Sequence, residues 1–159
     1  MKIFGVGTDI VKTNRIQKLL RRRNVIEKLF NKEEITKCKR IKKMENCFAK
    51  RFAAKEAFSK ALGTGISKGI NFNQIVVLNE KNGKPFIKLI ENTKKNVEKK
   101  LKKKNYKISL SLTDEDEYAV AFVTISIWKK KNFIKIIVEN IKTLLGALFI
   151  AILIRSLVV

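Results

Sequence analysis

The chain has 159 residues, the length of one ordinary domain. It carries 36 Lys and Arg against 14 Asp and Glu, a formal charge of +22, and no histidine, which excludes Ser-His-Asp or Cys-His catalysis and His-ligated zinc motifs. Hydrophobic residues make up 45% and there is one proline, so neither global disorder nor a linker-rich chain is expected.

Residues 2–11 (KIFGVGTDIV) read as a short apolar strand ending in a glycine-containing turn. Over 13–30, Ile16, Leu19, Leu20, Ile26, Leu29 and Phe30 recur near helical spacing with basic residues opposite, which predicts a helix. A short polar helix follows at 32–44. Residues 47–62 (CFAKRFAAKEAFSKAL) form an Ala-rich helix with Phe48, Phe52 and Phe58 in helical register and Gly63 as its stop. Residues IVVL and FIKLI flank Asn82-Gly83, a pair that favours a tight hairpin turn. A Lys-rich helix at 92–104 and two closing strands, ISLSL and YAVAFVTISI, complete an α+β pattern of helices packed on an antiparallel sheet, with an acidic turn between the strands.

Composition changes near residue 128, which divides the chain into a domain at 1–128 and a basic hinge with a hydrophobic C-terminal helix at 129–159. Residues 143–154 carry no charge, and the stretch 143–159 is at the short end of what spans a bilayer. Lys129, Lys130, Lys131, Lys135 and Lys142 precede it and would keep that side cytoplasmic. The tail IKTLLGALFIAILIRSLVV also resembles the N-terminal membrane anchor of bacterial type I signal peptidases, and the chain stops before the segment where that family places its serine. The N-terminus lacks the pattern of a secretory signal, because Asp9 interrupts its apolar stretch. Cys38 and Cys47, without any C-x-x-C, read as reduced intracellular thiols.

The charge by itself names no partner. Of the basic residues 29 are Lys, and Ile (21) and Asn (13) are also abundant, a set that compositional drift would produce. A nucleic-acid module would need stacking aromatics beside the Lys runs. The 92–104 helix offers only Lys and Asn, and the ten Phe fall mostly on apolar faces, so no specific nucleic acid is expected.

The acids are more informative. Asp114 and Asp116 share the stretch TDEDE and read as a solvated loop. Asp9 ends an apolar strand, where it either caps the next helix or carries chemistry. Glu56 is the only carboxylate between Asn46 and Asn79, and borders the apolar face of its helix among Arg51, Lys55 and Lys60. It either pairs with Lys60 at i,i+4 or acts as a hard-metal ligand, since a strand carboxylate and a helix carboxylate suit Mg²⁺ with substrate phosphates and water completing the shell.

GVGTDIV, FAKRFAAKEAFSKALGTGI, NGKP and ISLSLTDEDEYAVAFV, in that order over about 2–127, resemble the holo-[acyl-carrier-protein] synthases, the small 4′-phosphopantetheinyl transferases of bacterial fatty-acid synthesis. The resemblance implies a single α+β transferase domain, homotrimeric, with coenzyme A in clefts between subunits. It implies that phosphopantetheine passes from coenzyme A to the acceptor serine of apo acyl carrier protein, releasing 3′,5′-ADP. Asp9 and Glu56 would bind Mg²⁺ with the pyrophosphate, and Lys60 would stabilise the leaving side. Gly63 and Gly65 would lie along the cofactor, Arg51, Gly83 and Pro85 would hold its nucleotide end, and Arg15 and Arg22 would grip the acidic carrier. Family members often carry a histidine before the ISLSL strand where this chain has Lys107. The proton could then go to a Mg²⁺-bound water or hydroxide or to Glu56, with Lys107 a phosphate contact. The expected location is the cytoplasm, with a tail that could tether the chain to the inner membrane or belong to a fused neighbouring frame.

Overall fold

A computed structural model describes residues 1–65, 69–128, 138, 140–147 and 150. The chain divides into two compact units, Met1–Trp128 and Lys129–Val159. In the first unit, strand β1 (Lys2–Lys12) leads into four helices, α1 (Thr13–Leu20), α2 (Arg23–Leu29), α3 (Lys32–Lys39) and α4 (Met44–Leu62). A 3-10 turn at Phe72–Gln74 precedes the hairpin β2 (Ile75–Asn79) and β3 (Pro85–Leu89). Helix α5 (Glu91–Leu101) and strands β4 (Tyr106–Glu115) and β5 (Tyr118–Ile127) complete the unit. Strands β1, β5 and β4 form one antiparallel sheet in that order, and β2 with β3 form another. The α+β expectation is met.

In the second unit the described residues are helical. Most of the tail expected to cross a membrane lies outside the described residues. Among the described residues no helix is long and apolar enough to do so.

The single helix expected over 13–30 is two. Continuing the stripe of Ile16 and Leu20 would bring Glu27 onto the buried face; the chain instead breaks at Arg21–Arg22 and re-aims Ile26, Leu29 and Phe30. Helix α3 opens on a capping box in which Asn31 Oδ1 accepts from the Glu33 amide and Glu34 Oε2 accepts from the Asn31 amide, at 2.8 Å. Cys38 and Cys47 are joined by a disulfide between α3 and α4, which corrects the expectation of two reduced thiols. Residues 40–43 turn the chain back and bring the two Cα atoms to 5.5 Å, a pairing that spacing alone did not signal.

The hairpin turn also differs from expectation. Glu80 and Lys84 still pair, with the Glu80 amide 2.9 Å from the Lys84 carbonyl, so the loop is the three residues 81–83. Only Gly83 adopts a positive φ (+88°), as a three-residue hairpin loop requires. The β4–β5 turn is shorter than the acidic loop expected. Asp114 and Glu115 belong to β4, and Asp114 accepts from Lys50 Nζ at 2.7 Å and Asn46 Nδ2 at 3.2 Å. That pair holds the Asp114 carboxyl below its ordinary pKa, with Lys50 the main cause.

Helix α4 is the axis of the core. Its Ala53, Ala57 and Ala61 are buried, and β1 crosses the last two at Gly7 and Gly5. These glycines are not a strand-ending turn; they sit inside β1. A Cβ on Gly7 would collide with the Ala57 carbonyl oxygen, and one on Gly5 with that of Ala61. Backbone is in the way in both cases, so no side chain can yield. Gly7→Ala is therefore expected to lower unfolding free energy by about 1–3 kcal/mol, read from the urea midpoint, as overpacked cores do.

A buried ion pair locks α4 to α3. Lys55 Nζ donates to Glu34 Oε2 at 2.7 Å, and to the Leu29 and Phe72 carbonyls at 2.9 and 2.8 Å, with both side chains at 0% exposure. Glu34 Oε1 accepts from the Val77 amide at 3.0 Å. Burial lowers the Lys55 pKa to about 8 and raises that of Glu34, each opposed by the other's charge.

Candidate active site

Side chains alternate across a strand, so Gly5, Gly7, Asp9 and Val11 all face α4. On α4, Glu56 and Lys60 are one turn apart and share a face. The glycine–alanine contact lays β1 so close to the helix backbone that Asp9 meets that face. Lys60 Nζ lies 2.7 Å from Asp9 Oδ1 and also donates to the Thr8 carbonyl at 3.1 Å. The Asp9 carboxylate is largely covered, at 14% exposure, while Lys60 remains half in solvent at 53%.

Two sequence alternatives are settled by this geometry. Asp9 does not cap the first helix, whose N-cap is Lys12. Lys60 makes its ion pair with Asp9 on the neighbouring strand and not with Glu56 on its own helix. Glu56 nevertheless belongs to the group. Its pKa is raised first by burial and second by the Asp9 charge, and is opposed by Lys60 and Arg15. Asp9, Glu56, Lys60 and Arg15 thus form one electrostatic cluster.

The donor set suits a hard divalent cation shared with a substrate. Two carboxylates from different elements converge, and among the described residues no group of three or more His, Cys, Asp or Glu could hold a metal by itself. An ion here would need its remaining oxygens from phosphate and water, which Mg²⁺ commonly accepts.

Towards the other end of α4 lies a cleft of about 550 Å³ that gathers Arg51, Gly83 and Pro85 with Lys37, Lys42, Lys43 and Lys50. Arg51 is nearly fully buried. Its Nη1 donates to the Cys47 carbonyl and Sγ at 3.1 and 3.0 Å, while Nε is buried without a hydrogen-bond partner. Burial lowers its pKa. A buried, incompletely satisfied guanidinium among lysines suits an anion. The lysines were missed at the sequence level, although the run KRIKK at 39–43 was a usable signal.

The remaining candidates separate. Gly63 follows Lys60 by one turn and ends α4 in the left-handed conformation (φ +69°), and Gly65 is left-handed too (+57°). Arg22 is exposed at the N-cap of α2. Lys107 is not brought to the Asp9 cluster within the chain. It pairs with Ser126 whereas Asp9 pairs with Ala121, five residues or about 17 Å along β5.

Residues 5–123 match the family model described as the 4′-phosphopantetheinyl transferase superfamily, which sets the class as a transferase. The chain belongs to that family. It is similar to the holo-[acyl-carrier-protein] synthase of Pelagibacter ubique, at 46% identity over 123 residues, covering 77% of this chain and 96% of the relative. That of Bartonella bacilliformis is 42% identical over 126 residues, covering 77% and 95%. Among solved structures, the holo-(acyl-carrier-protein) synthase of Bacillus anthracis in complex with CoA (3′,5′-ADP) is 34% identical with a TM-score of 0.67, covering 80% of this chain and 100% of that one. The Neisseria meningitidis synthase is 36% identical with a TM-score of 0.71, covering 78% and 98%. The family match ends before the tail, and the likeness of the tail to a signal-peptidase anchor is not borne out.

Proposed function

We propose that the chain transfers 4′-phosphopantetheine from coenzyme A to the acceptor serine of an apo acyl carrier protein, for fatty-acid synthesis in the cytoplasm. The observation that carries this reading is the convergence of Asp9, Glu56 and Lys60 at the β1–α4 crossing, in a chain 46% identical to a holo-[acyl-carrier-protein] synthase. The serine Oγ bonds to the β-phosphorus of coenzyme A, the bond from that phosphorus to the bridging oxygen breaks, and 3′,5′-ADP leaves.

Asp9 and Glu56 are the residues that would hold Mg²⁺, which when bound neutralises charge on the pyrophosphate. Lys60 offers its ammonium to the leaving phosphate. Arg51, with Gly83 and Pro85 beside it, receives the nucleotide end in the basic cleft, and Gly63 and Gly65 let backbone approach the cofactor. The chain has no imidazole, so the serine proton passes to solvent or to Glu56. Catalysis is chiefly positioning and electrostatics.

The carrier docks on Arg15, which lies beside Glu56, and on Arg22; both are exposed, and an acidic partner would be steered by the charge of +22. The chain assembles as a homotrimer in this proposal, and self-association is supported by the sheet face turned away from α4, where Val6, Ile10 and Phe122 are exposed. In such an assembly Lys107 would contact a phosphate of the cofactor held by a neighbouring subunit, a reading favoured by its separation from Asp9 in register within one chain. No membrane tether enters the proposal.

The test is the intact mass of apo acyl carrier protein after incubation with the full chain, coenzyme A and Mg²⁺. A gain of one phosphopantetheine group, abolished by EDTA, is expected. No gain from folded protein overturns the proposal.

A further inference from the structure

Asp9 is fixed and its partner is not. The carboxylate sits on a strand whose register is set by backbone pairing to Ala121 and is mostly covered. Lys60 is half-exposed on a four-carbon stem, and reaches across from α4 to donate both to Asp9 Oδ1 and to the Thr8 carbonyl. One turn earlier on the same helix, Glu56 faces the Asp9 charge. The group therefore balances two carboxylates with the Lys60 ammonium and the Arg15 guanidinium.

A divalent ion that takes Asp9 Oδ1 competes with the ammonium 2.7 Å from that oxygen, because the two cations repel at that range. We propose that Lys60 is a resident counter-ion for Asp9 that a divalent cation displaces, so that the released ammonium becomes the contact for substrate phosphate. The inference rests on the reading of Asp9 and Glu56 as the Mg²⁺ ligands. Lys60 then does more than stabilise a leaving group: it positions the site before substrate arrives and couples the binding of cation and polyphosphate. Without nucleotide, the cation must break an ion pair to enter. With nucleotide present, the displaced ammonium has an anion to move to, and that loss is recovered. By reciprocity, the cation raises nucleotide affinity by the same factor.

The experiment is titration of the full chain with Mn²⁺, followed by the electron paramagnetic resonance signal of the free ion, with and without coenzyme A. It compares the wild type with Lys60→Met and Lys60→Arg and needs no turnover. Lys60→Met is expected to bind Mn²⁺ about two- to fivefold tighter than wild type in the absence of coenzyme A, the worth of a partly exposed ion pair. Coenzyme A should raise Mn²⁺ affinity less in that variant than in the wild type. Lys60→Arg, which keeps the charge and so controls for packing, should bind Mn²⁺ alone as the wild type does.

Equal or weaker Mn²⁺ binding by Lys60→Met overturns the counter-ion role while leaving the metal ligands in place. An Arg variant that behaves like the Met variant overturns it too, since charge would not be what holds the ion off. A wild-type chain that binds no Mn²⁺ with or without coenzyme A overturns both this inference and the metal reading beneath it.

Discussion

Glu56→Gln is expected to lose about 10²–10³-fold in kcat/KM while raising the thermal midpoint of the ligand-free protein. The two effects share a cause. Glu56 is half-buried at the β1–α4 crossing, where burial and the Asp9 charge raise its pKa. A carboxyl whose folded pKa lies above its unfolded value of 4.5 holds its proton more tightly when folded. Unfolding then releases a proton above pH 4.5, so stability falls as pH rises through that region. At neutral pH the ionised Glu56 is a strain on the fold, and the neutral amide removes it. The same amide offers a divalent cation no charge. Carrier mass measures the activity, and thermal unfolding in EDTA at pH 5 and pH 7.5 measures stability, with the gain over wild type larger at pH 7.5. A variant that transfers at the wild-type rate would remove Glu56 from the metal site. A variant that loses stability with activity would make its role structural.

Lys55→Met is expected to cost about 3–5 kcal/mol of unfolding free energy, the penalty of leaving a buried charge unpaired. In this chain the loss is compounded. Lys55 also satisfies the Leu29 and Phe72 carbonyls, and Glu34, its partner, accepts from the Asn31 and Val77 amides. The pair therefore joins α2, α3, α4, the 3-10 turn and β2 at one point, and replacing both members by apolar side chains would strand four backbone groups. The pH dependence has a definite sign. Burial already raises the Glu34 pKa, opposed chiefly by Lys55, so removal of Lys55 raises it further. Below pH 4.5 both folded and unfolded states carry the Glu34 proton, and above it the folded state alone retains it. The deficit of Lys55→Met should accordingly widen from pH 4.5 to 7, measured by urea unfolding at each pH. A deficit under 1 kcal/mol at pH 7 would show that the pair does not lock the helices.

Glu56 and Lys55 are neighbours on α4, yet the sequence singled out one and not the other. Glu56 stood out as an isolated carboxylate in a helix of cations, inside a motif with a family resemblance. Lys55 looked like another member of a basic face. Its fate depended on Glu34, 21 residues away, whose capping-box position gave a local reason to exist and hid the long-range one. The same limit applied to the cleft: Arg51 was identified through its motif, but Lys37 and Lys50 reach it only because α3, α4 and the β2–β3 loop converge.

By itself, the amino-acid order determined the alternation of helices and strands, the boundary of α4 at Gly63, and the residue types that point to phosphoryl chemistry. Hydrophobic period, caps and turn glycines act within a few residues, so they can be read from the chain. The tertiary structure alone decided that Lys60 serves Asp9 in preference to Glu56, that Asp114 is tied to Lys50, and that Cys38 meets Cys47. Those pairings depend on how closely β1, β4 and α3 approach α4. For β1 that approach is set by Gly5 and Gly7, where a missing Cβ lets two backbones touch. Each glycine is visible in the sequence, but the surface it meets is not.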